Sequence, residues 1–259
     1  MKPITSAANA RYKAWLKLAT QPRQVRLQRC TLAEGVHLAQ AWLEAAWPID
    51  AVLVRADGGS HERDRLAEAL AQRAPAFALA PALFNALGLV EQGVGLALVV
   101  PVPDEVDTPL TGDALYLDGL QDPGNVGALL RVAAAAGVRH VLASNGTAAL
   151  WAPKVLRAAQ GAHLLLDLRE GIAPAQLAAC DLHWIGTALD GEPLWQANLP
   201  VGPVGWLFGA EGQGLSAPAR AMCRQRLRIP MASGTESLNV ATAAAVCLFE
   251  RARRRAGAS

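Results

Sequence analysis

Apolar residues recur along this chain with two periods, near 3.6 and near 2, and the switches between them mark out its elements. Over residues 9–20, Tyr12, Trp15, Leu16 and Ala19 fall at helical spacing with Arg11, Lys13 and Lys17 elsewhere on the surface, which predicts an amphipathic basic helix ended by Pro22. Residues 24–31 form a mixed stretch compatible with a strand. A second helix is predicted over 34–46, stopped by Pro48, followed by a strand at 49–54, a helix at 63–73, a strand at 76–79, a helix at 82–87 and an apolar strand at 94–101. That alternation predicts a compact α/β or α+β domain over residues 1–103.

Residues 101–109 are rich in proline and acids without an apolar period and predict a stiff linker, set at 104–112 between the two domains. From residue 113 the alternation restarts. Strands are predicted at 114–118, 138–143, 163–168, 182–186, 204–209 and 227–229, with helices at 126–136, 152–159, 174–179, 217–224 and 238–254. Strand-helix alternation to residue 259 predicts a parallel sheet with helices on both faces, and ligands then bind beyond the strand C-termini.

Composition adds limits. The chain has 259 residues, 52% hydrophobic and 18% charged, the balance of a globular protein. Its N-terminus has no signal-type apolar region and no run is long enough to span a bilayer, which predicts a cytoplasmic protein. Cys30, Cys180, Cys223 and Cys247 are far apart and, with the five histidines, form no ligand-spaced cluster, so neither a metal nor a disulfide framework is expected. Net charge is only +2, but Lys2, Arg11, Lys13, Lys17, Arg23, Arg26 and Arg29 all precede the first acid, Glu34. This one-signed segment suits phosphates, and Arg23 and Arg26 are candidate RNA contacts. A second cluster, Arg251, Arg253, Arg254 and Arg255, ends the last helix, where cations equally complement the helix dipole.

Three loops at strand C-termini carry candidate chemistry. After the first strand of the C-terminal half, Asn125 lies in a glycine-rich turn into a helix, where it either caps that helix or faces an anion. The spacing matches neither a dinucleotide fingerprint nor a phosphate loop. Arg131 stands in a small, apolar helix without a nearby acid and calls for a carboxylate or phosphate partner. Phe208-Gly-Ala-Glu-Gly-Gln-Gly214 sets Glu211 among three glycines that let a backbone approach a ligand. Ser237 and Asn239 sit where a Gly/Ser/Thr loop meets the last helix, as caps or as ligand groups.

Taken together, N-x-G-x-x-x-R at Asn125, Gly127 and Arg131, F-G-x-E-G-x-G at 208–214, I-P-M at 229–231 and S-L-N-V-A at 237–241 resemble the three motifs of the SpoU (TrmH) family of RNA ribose 2′-O-methyltransferases, of the SPOUT class. The run at 154–162 also resembles the family's pattern, with Ala159 where a serine is frequent. Residues 113–259 carry most of the resemblance; in the first hundred it rests on 4–18, Glu34-Gly35 and the Gln92-Gly93 turn, which resemble an RNA substrate-binding domain.

The resemblance implies S-adenosylmethionine as methyl donor, a trefoil knot built from the last three loops, and a homodimer. It implies backbone contacts to the cofactor at Gly209, Ile229 and Leu238 with Thr187 nearby, and Arg131 beside the reacting hydroxyl among Asn125, Glu211, Ser237 and Asn239. Ribosomal RNA is the expected substrate, with transfer RNA as the alternative. A non-catalytic RNA-binding protein and a nucleotide-binding oxidoreductase are the competing classes; intact Arg131, Glu211 and Asn239 disfavour the first and the missing dinucleotide fingerprint disfavours the second.

Overall fold

The computed structural model describes residues 1–88, 93–105 and 108–257. Gln92 of the Gln92-Gly93 turn and residues 106–107 of the expected linker lie outside them. The described residues form two compact units that do not simply follow chain order: Met1–Asp104 with Trp151–Leu164, and Glu105–Leu150 with Leu165–Ser259.

The first unit holds a five-stranded mixed sheet of β1 (Lys2–Ile4), β2 (Cys30–Glu34), β3 (Ala51–Arg55), β4 (Ala76–Leu79) and β5 (Leu96–Pro101), in the order β1-β4-β3-β5-β2. β1 was not legible in the sequence: it is three residues long and contains Pro3, which an edge strand tolerates. The helices are α1 (Ala10–Thr20), α2 (Pro22–Gln28), α3 (Val36–Glu44), α4 (His61–Ala71) and α5 (Pro81–Ala86). Asn9 caps α1 by accepting from the N–H groups of Arg11 and Tyr12.

The possible strand at 24–31 is corrected. Pro22 both follows α1 and opens α2 at its first turn, and Arg29 closes α2 in the left-handed region, with φ 49°. The strand begins only at Cys30. Glu34 likewise ends β2 rather than opening α3, because Gly35, at φ 111°, makes the turn.

The stretch from Trp151 to Leu164, read in the sequence as part of the second alternation, packs with this first unit. Its helix α7 (Pro153–Ala159) contacts β2, and the buried Thr31 hydroxyl donates to the Trp151 carbonyl at 2.7 Å. Glu34 is 7% exposed, its Oε2 has no hydrogen-bond partner among the described residues, and burial, opposed by the charge of Arg157, pushes its carboxyl up to about 7. The folded chain therefore takes up this proton between the ordinary carboxylate pKa of 4.5 and about 7. The group costs least below that window and most above it. Glu34→Gln is expected to be more stable than the wild type at pH 8, and to lose the fall in stability that Glu34 causes between pH 5 and pH 8. Urea unfolding at the two pH values measures this, and an unchanged pH dependence refutes it.

The second unit contains a six-stranded sheet of β6 (Ala114–Asp118), β7 (His140–Ala143), β8 (Asp167–Arg169), β9 (His183–Pro193), β10 (Val204–Gly209) and β11 (Gln225–Arg228). Its order is β11-β9-β10-β6-β7-β8 and every pairing is parallel. The parallel α/β sheet expected from the strand-helix alternation is thus present. Ala114 and Tyr116 enter a cluster with Leu177, Trp184 and Leu207, while the alternating Leu115 and Leu117 are equally buried on the opposite face. Gly205 has no side chain because a Cβ there would lie 2.0 Å from the Trp184 ring.

Helices α6 (Pro123–Ala135) and α9 (Val240–Ala256) pack on each other, and α8 (Ala217–Ala221) lies against the 3-10 turn Pro174–Ala179. Two boundaries differ from the sequence reading with consequences. β9 runs on to Pro193, so Thr187 lies within a strand. Helix α9 begins at Val240 with Asn239 as its cap, so Leu238 precedes the helix.

Candidate active site

Three chain segments end or begin at the C-terminal edge of β6 and β10, where Asp118 and Gly209 are paired neighbours. Helix α6 starts there. Its cap is Asp122, whose Oδ1 accepts the Asn125 N–H at 2.7 Å. The backbone need that made Asn125 a possible cap is met by another residue, which leaves the Asn125 carboxamide for other work.

That carboxamide is part of a three-residue cluster. Asn125 Nδ2 donates to Glu211 Oε1 at 2.8 Å, Asn239 Nδ2 donates to Asn125 Oδ1 at 2.8 Å and also to Glu211 Oε1 at 3.1 Å. Asn239 meanwhile caps α9, its Oδ1 accepting from Ala241 and Thr242 N–H. The cap reading of Asn239 holds, and its carboxamide does more than cap, because the group is bifunctional: its oxygen serves the helix and its nitrogen serves the cluster. A carboxylate cap, which only accepts, could not divide the work in this way.

The loop that carries Glu211 is shaped by glycine. A Cβ on Gly209 would fall 2.1 Å from the Gly214 carbonyl carbon and 2.3 Å from the Leu215 nitrogen, so only glycine lets residues 210–214 fold back over the strand end. At Gly186 a Cβ would come within 2.5 Å of Cys223 Sγ. The Thr187 hydroxyl donates to Leu207 O at 3.1 Å, a bond between β9 and β10. Ile229 and Leu238 are half-buried, on either side of the exposed turn at 232–237, and Ser237 is exposed within it.

Arg131 lies on α6, six residues and so about 9 Å along the axis from Asn125. Its side chain is exposed, and among the described residues its guanidinium has no hydrogen-bond or ion-pair partner. The structure joins Asn125, Glu211 and Asn239 by hydrogen bonds; Arg131 and Ser237 belong to the adjoining segments, and among the described residues no hydrogen bond ties either to that cluster. Arg23 and Arg26 are exposed on α2, in the other unit.

The basic end of α9 proves structural. Arg251 is buried against Asp113 and the Pro200, Val201 and Gly202 carbonyls, and Arg254 reaches Glu250 and the Leu194 and Ala197 carbonyls. Arg253 and Arg254 together hold the Glu250 carboxyl down to about 2. Among the described residues no group of three or more His, Cys, Asp or Glu is placed to hold a metal, and no helix is long and apolar enough to cross a membrane.

Comparison with known proteins places this arrangement. The profile of the SpoU rRNA methylase family matches residues 114–249. The 23S rRNA (guanosine(2553)-2′-O)-methyltransferase RlmP of Bacillus subtilis is 31% identical over 252 residues, covering 96% of this chain and 98% of that protein. The 23S rRNA (guanosine-2′-O-)-methyltransferase RlmB of Bordetella pertussis is 40% identical over 167 residues, 60% of this chain and 65% of the relative. Among solved structures, the SpoU methyltransferase AviRb from Streptomyces viridochromogenes in complex with AdoMet has a TM-score of 0.86 at 25% identity, over 96% of this chain and 98% of that one. An RNA 2′-O ribose methyltransferase has a TM-score of 0.80 at 29% identity, over 98% and 99%. With the family profile spanning the whole parallel sheet and the RlmP relative aligned nearly end to end, the chain belongs to the SpoU rRNA methylase family.

Proposed function

We propose that this protein transfers a methyl group from S-adenosylmethionine to a ribose 2′-hydroxyl of structured RNA, and that the RNA is ribosomal. The observation that carries the reading is the hydrogen-bonded cluster of Asn125, Glu211 and Asn239 beside the glycine-lined end of β10. Rigid polar groups beside exposed backbone are what a nucleoside site requires. The choice of ribosomal RNA rests on the RlmP relative, which aligns over 252 residues.

The residues present fit the cofactor. Gly209 supplies a cradle that a Cβ would fill, and the backbone of Gly209, Ile229 and Leu238 offers amides and carbonyls to a purine with little side-chain competition. Thr187 steadies this wall through its bond to Leu207. S-adenosylmethionine, when bound, supplies an electrophilic sulfonium methyl. The chain's own contribution is placement, since an in-line displacement is accelerated chiefly by holding the nucleophile in attack geometry. Arg131 binds the phosphate of the target nucleotide and orients its ribose; a guanidinium with pKa above 12 is a poor proton acceptor. Asn125, Glu211 and Asn239 form a preorganised wall beside that ribose, and Ser237 contributes a hydroxyl from the adjoining turn. Arg23 and Arg26 contact RNA phosphates from the first unit.

The trefoil knot over the last three loops belongs to the same reading, as does a homodimer in which a second copy covers exposed Trp195, Val201 and Phe249. The setting is the cytoplasm. Residues 1–103 are proposed as the substrate-binding domain, 104–112 as the linker and 113–259 as the methyltransferase domain.

Calorimetry with S-adenosylmethionine, S-adenosylhomocysteine and NAD tests the cofactor. Affinity for NAD with none for either sulfur compound would reject the reading. Mapping ribose methylation on total RNA with and without the gene tests the reaction, and loss of one ribosomal site is expected. Gly209→Ala is expected to weaken S-adenosylhomocysteine binding by roughly 30-fold, about 2 kcal/mol of backbone displacement, and unchanged binding would remove Gly209 from the site.

A further inference from the structure

We infer that Asp118 is a positioning residue for the loop between Gly209 and Ser216, acting through the Ser216 N–H; the inference rests on the function proposed above. β6 ends at Asp118, directly opposite Gly209 at the end of β10. Beyond Gly209 the chain folds back on itself. Ala210 and Gly214 form an isolated bridge, the Gly214 N–H donates to Ala210 O at 2.8 Å, and Gly212 and Gly214 adopt φ of 78° and 69°.

A loop of this kind has two stalks. The first is Gly209, fixed in the sheet. The second is held by Asp118, whose Oδ2 accepts the Ser216 N–H at 2.7 Å across 98 residues of chain. The Asp118 side chain belongs to a residue only 7% exposed, so this is a charge-assisted bond sheltered from water, stronger than a neutral bond at the surface. Its neighbour Leu215 is buried in the core cluster with Trp184 and Leu207, and the Ser216 hydroxyl caps α8 by accepting the Ala219 N–H.

The platform beneath Asp118 is itself braced. The Gly119 N–H donates to Ser144 Oγ at 2.9 Å and to Thr147 Oγ1 at 3.2 Å, and the Thr147 hydroxyl donates to Leu117 O at 2.9 Å. Asp118 therefore transmits a fixed strand end to the backbone on which Glu211 stands, and Glu211 in turn meets Asn125 and Asn239. Displacing this stalk moves the cofactor cradle and the polar cluster together. Neither Arg131 nor Asn125 performs that task.

The test uses Asp118→Ala and Asp118→Asn in the full chain. Asp118→Ala is expected to raise the S-adenosylhomocysteine Kd and the S-adenosylmethionine KM about tenfold, the effect of losing one hydrogen bond to a charged group. Asp118→Asn keeps a carboxamide oxygen for the Ser216 N–H and is expected to stay within about threefold of wild type. Hydrogen exchange without ligand is expected to show the Ser216 amide losing protection in the alanine variant and keeping it in the asparagine variant. Ser216→Pro, allowed by the Ser216 φ of −59°, removes the same bond from the donor side together with the hydroxyl cap of α8, and is expected to raise the Kd at least as much, with Asp118→Ala adding nothing further. A folded alanine variant with wild-type affinity, an asparagine variant as impaired as alanine, or equal Ser216 exchange in wild type and alanine would each overturn the inference. If the wild type itself binds no S-adenosylhomocysteine, the proposed function fails, and the exchange measurement still decides the anchor.

Discussion

Arg131→Ala is expected to lower the single-turnover methylation rate by about 1,000-fold or more while leaving S-adenosylmethionine affinity within about twofold of wild type. The asymmetry follows from where the side chain stands. Among the described residues no hydrogen bond or ion pair engages the Arg131 guanidinium, so its removal leaves no buried group unpaired and the fold is expected to survive. The backbone groups assigned to the cofactor are on other segments, at Gly209, Ile229 and Leu238. On the proposed role, what is lost is the bidentate hold on a phosphate, and with it the alignment of a ribose hydroxyl. Lysine supplies the charge as a point without the planar fork, so Arg131→Lys is expected to recover only a small part of the rate. Equal loss of rate and cofactor affinity in Arg131→Ala would assign the residue to the cofactor instead.

The second large effect concerns stability. Arg251→Met is expected to destabilise the second unit by about 3 kcal/mol or more, read from urea unfolding. Arg251 Nε faces Asp113 Oδ2 at 3.3 Å, and its terminal nitrogens serve the Pro200, Val201 and Gly202 carbonyls. Asp113, 6% exposed, also accepts from the Val204 N–H at 2.8 Å and from Arg255 at 2.9 Å. Removing Arg251 leaves a buried carboxylate short of a cation and three carbonyls short of a donor. Arg253→Ala is the control: among the described residues its exposed side chain pairs only with Glu250, and the midpoint is expected to stay where it is. A shift below about 1 kcal/mol for Arg251→Met would show that methionine repacks the site without cost.

These two arginines show where sequence reading stops. Arg131 stands alone in an apolar helix and Arg251 stands beside Glu250 in a cluster of four arginines, yet neither neighbourhood tells which guanidinium is buried. Arg131 points its charge outward from α6, whereas Arg251 is enclosed because the segment 200–202 passes over the end of α9. That passage is a long-range contact. The same limit explains α2, where Pro22 is equally able to stop one helix and start the next.

What the sequence by itself determined is the parallel α/β character of residues 114–257, the strands at Ala114–Asp118 and Val204–Gly209, and the residue types of the motif loops. Those features are local: period, turn chemistry and glycine placement are written in neighbouring residues. Only the tertiary structure decided that Asp122 rather than Asn125 caps α6, that Asn239 divides its carboxamide between helix and cluster, and that Trp151–Leu164 packs with the first unit. Each of these depends on which partner reaches a polar atom first. That partner is three residues away for Asn125 but 114 for Asn239 and 120 for Trp151, and at those separations only folding brings it within hydrogen-bond range.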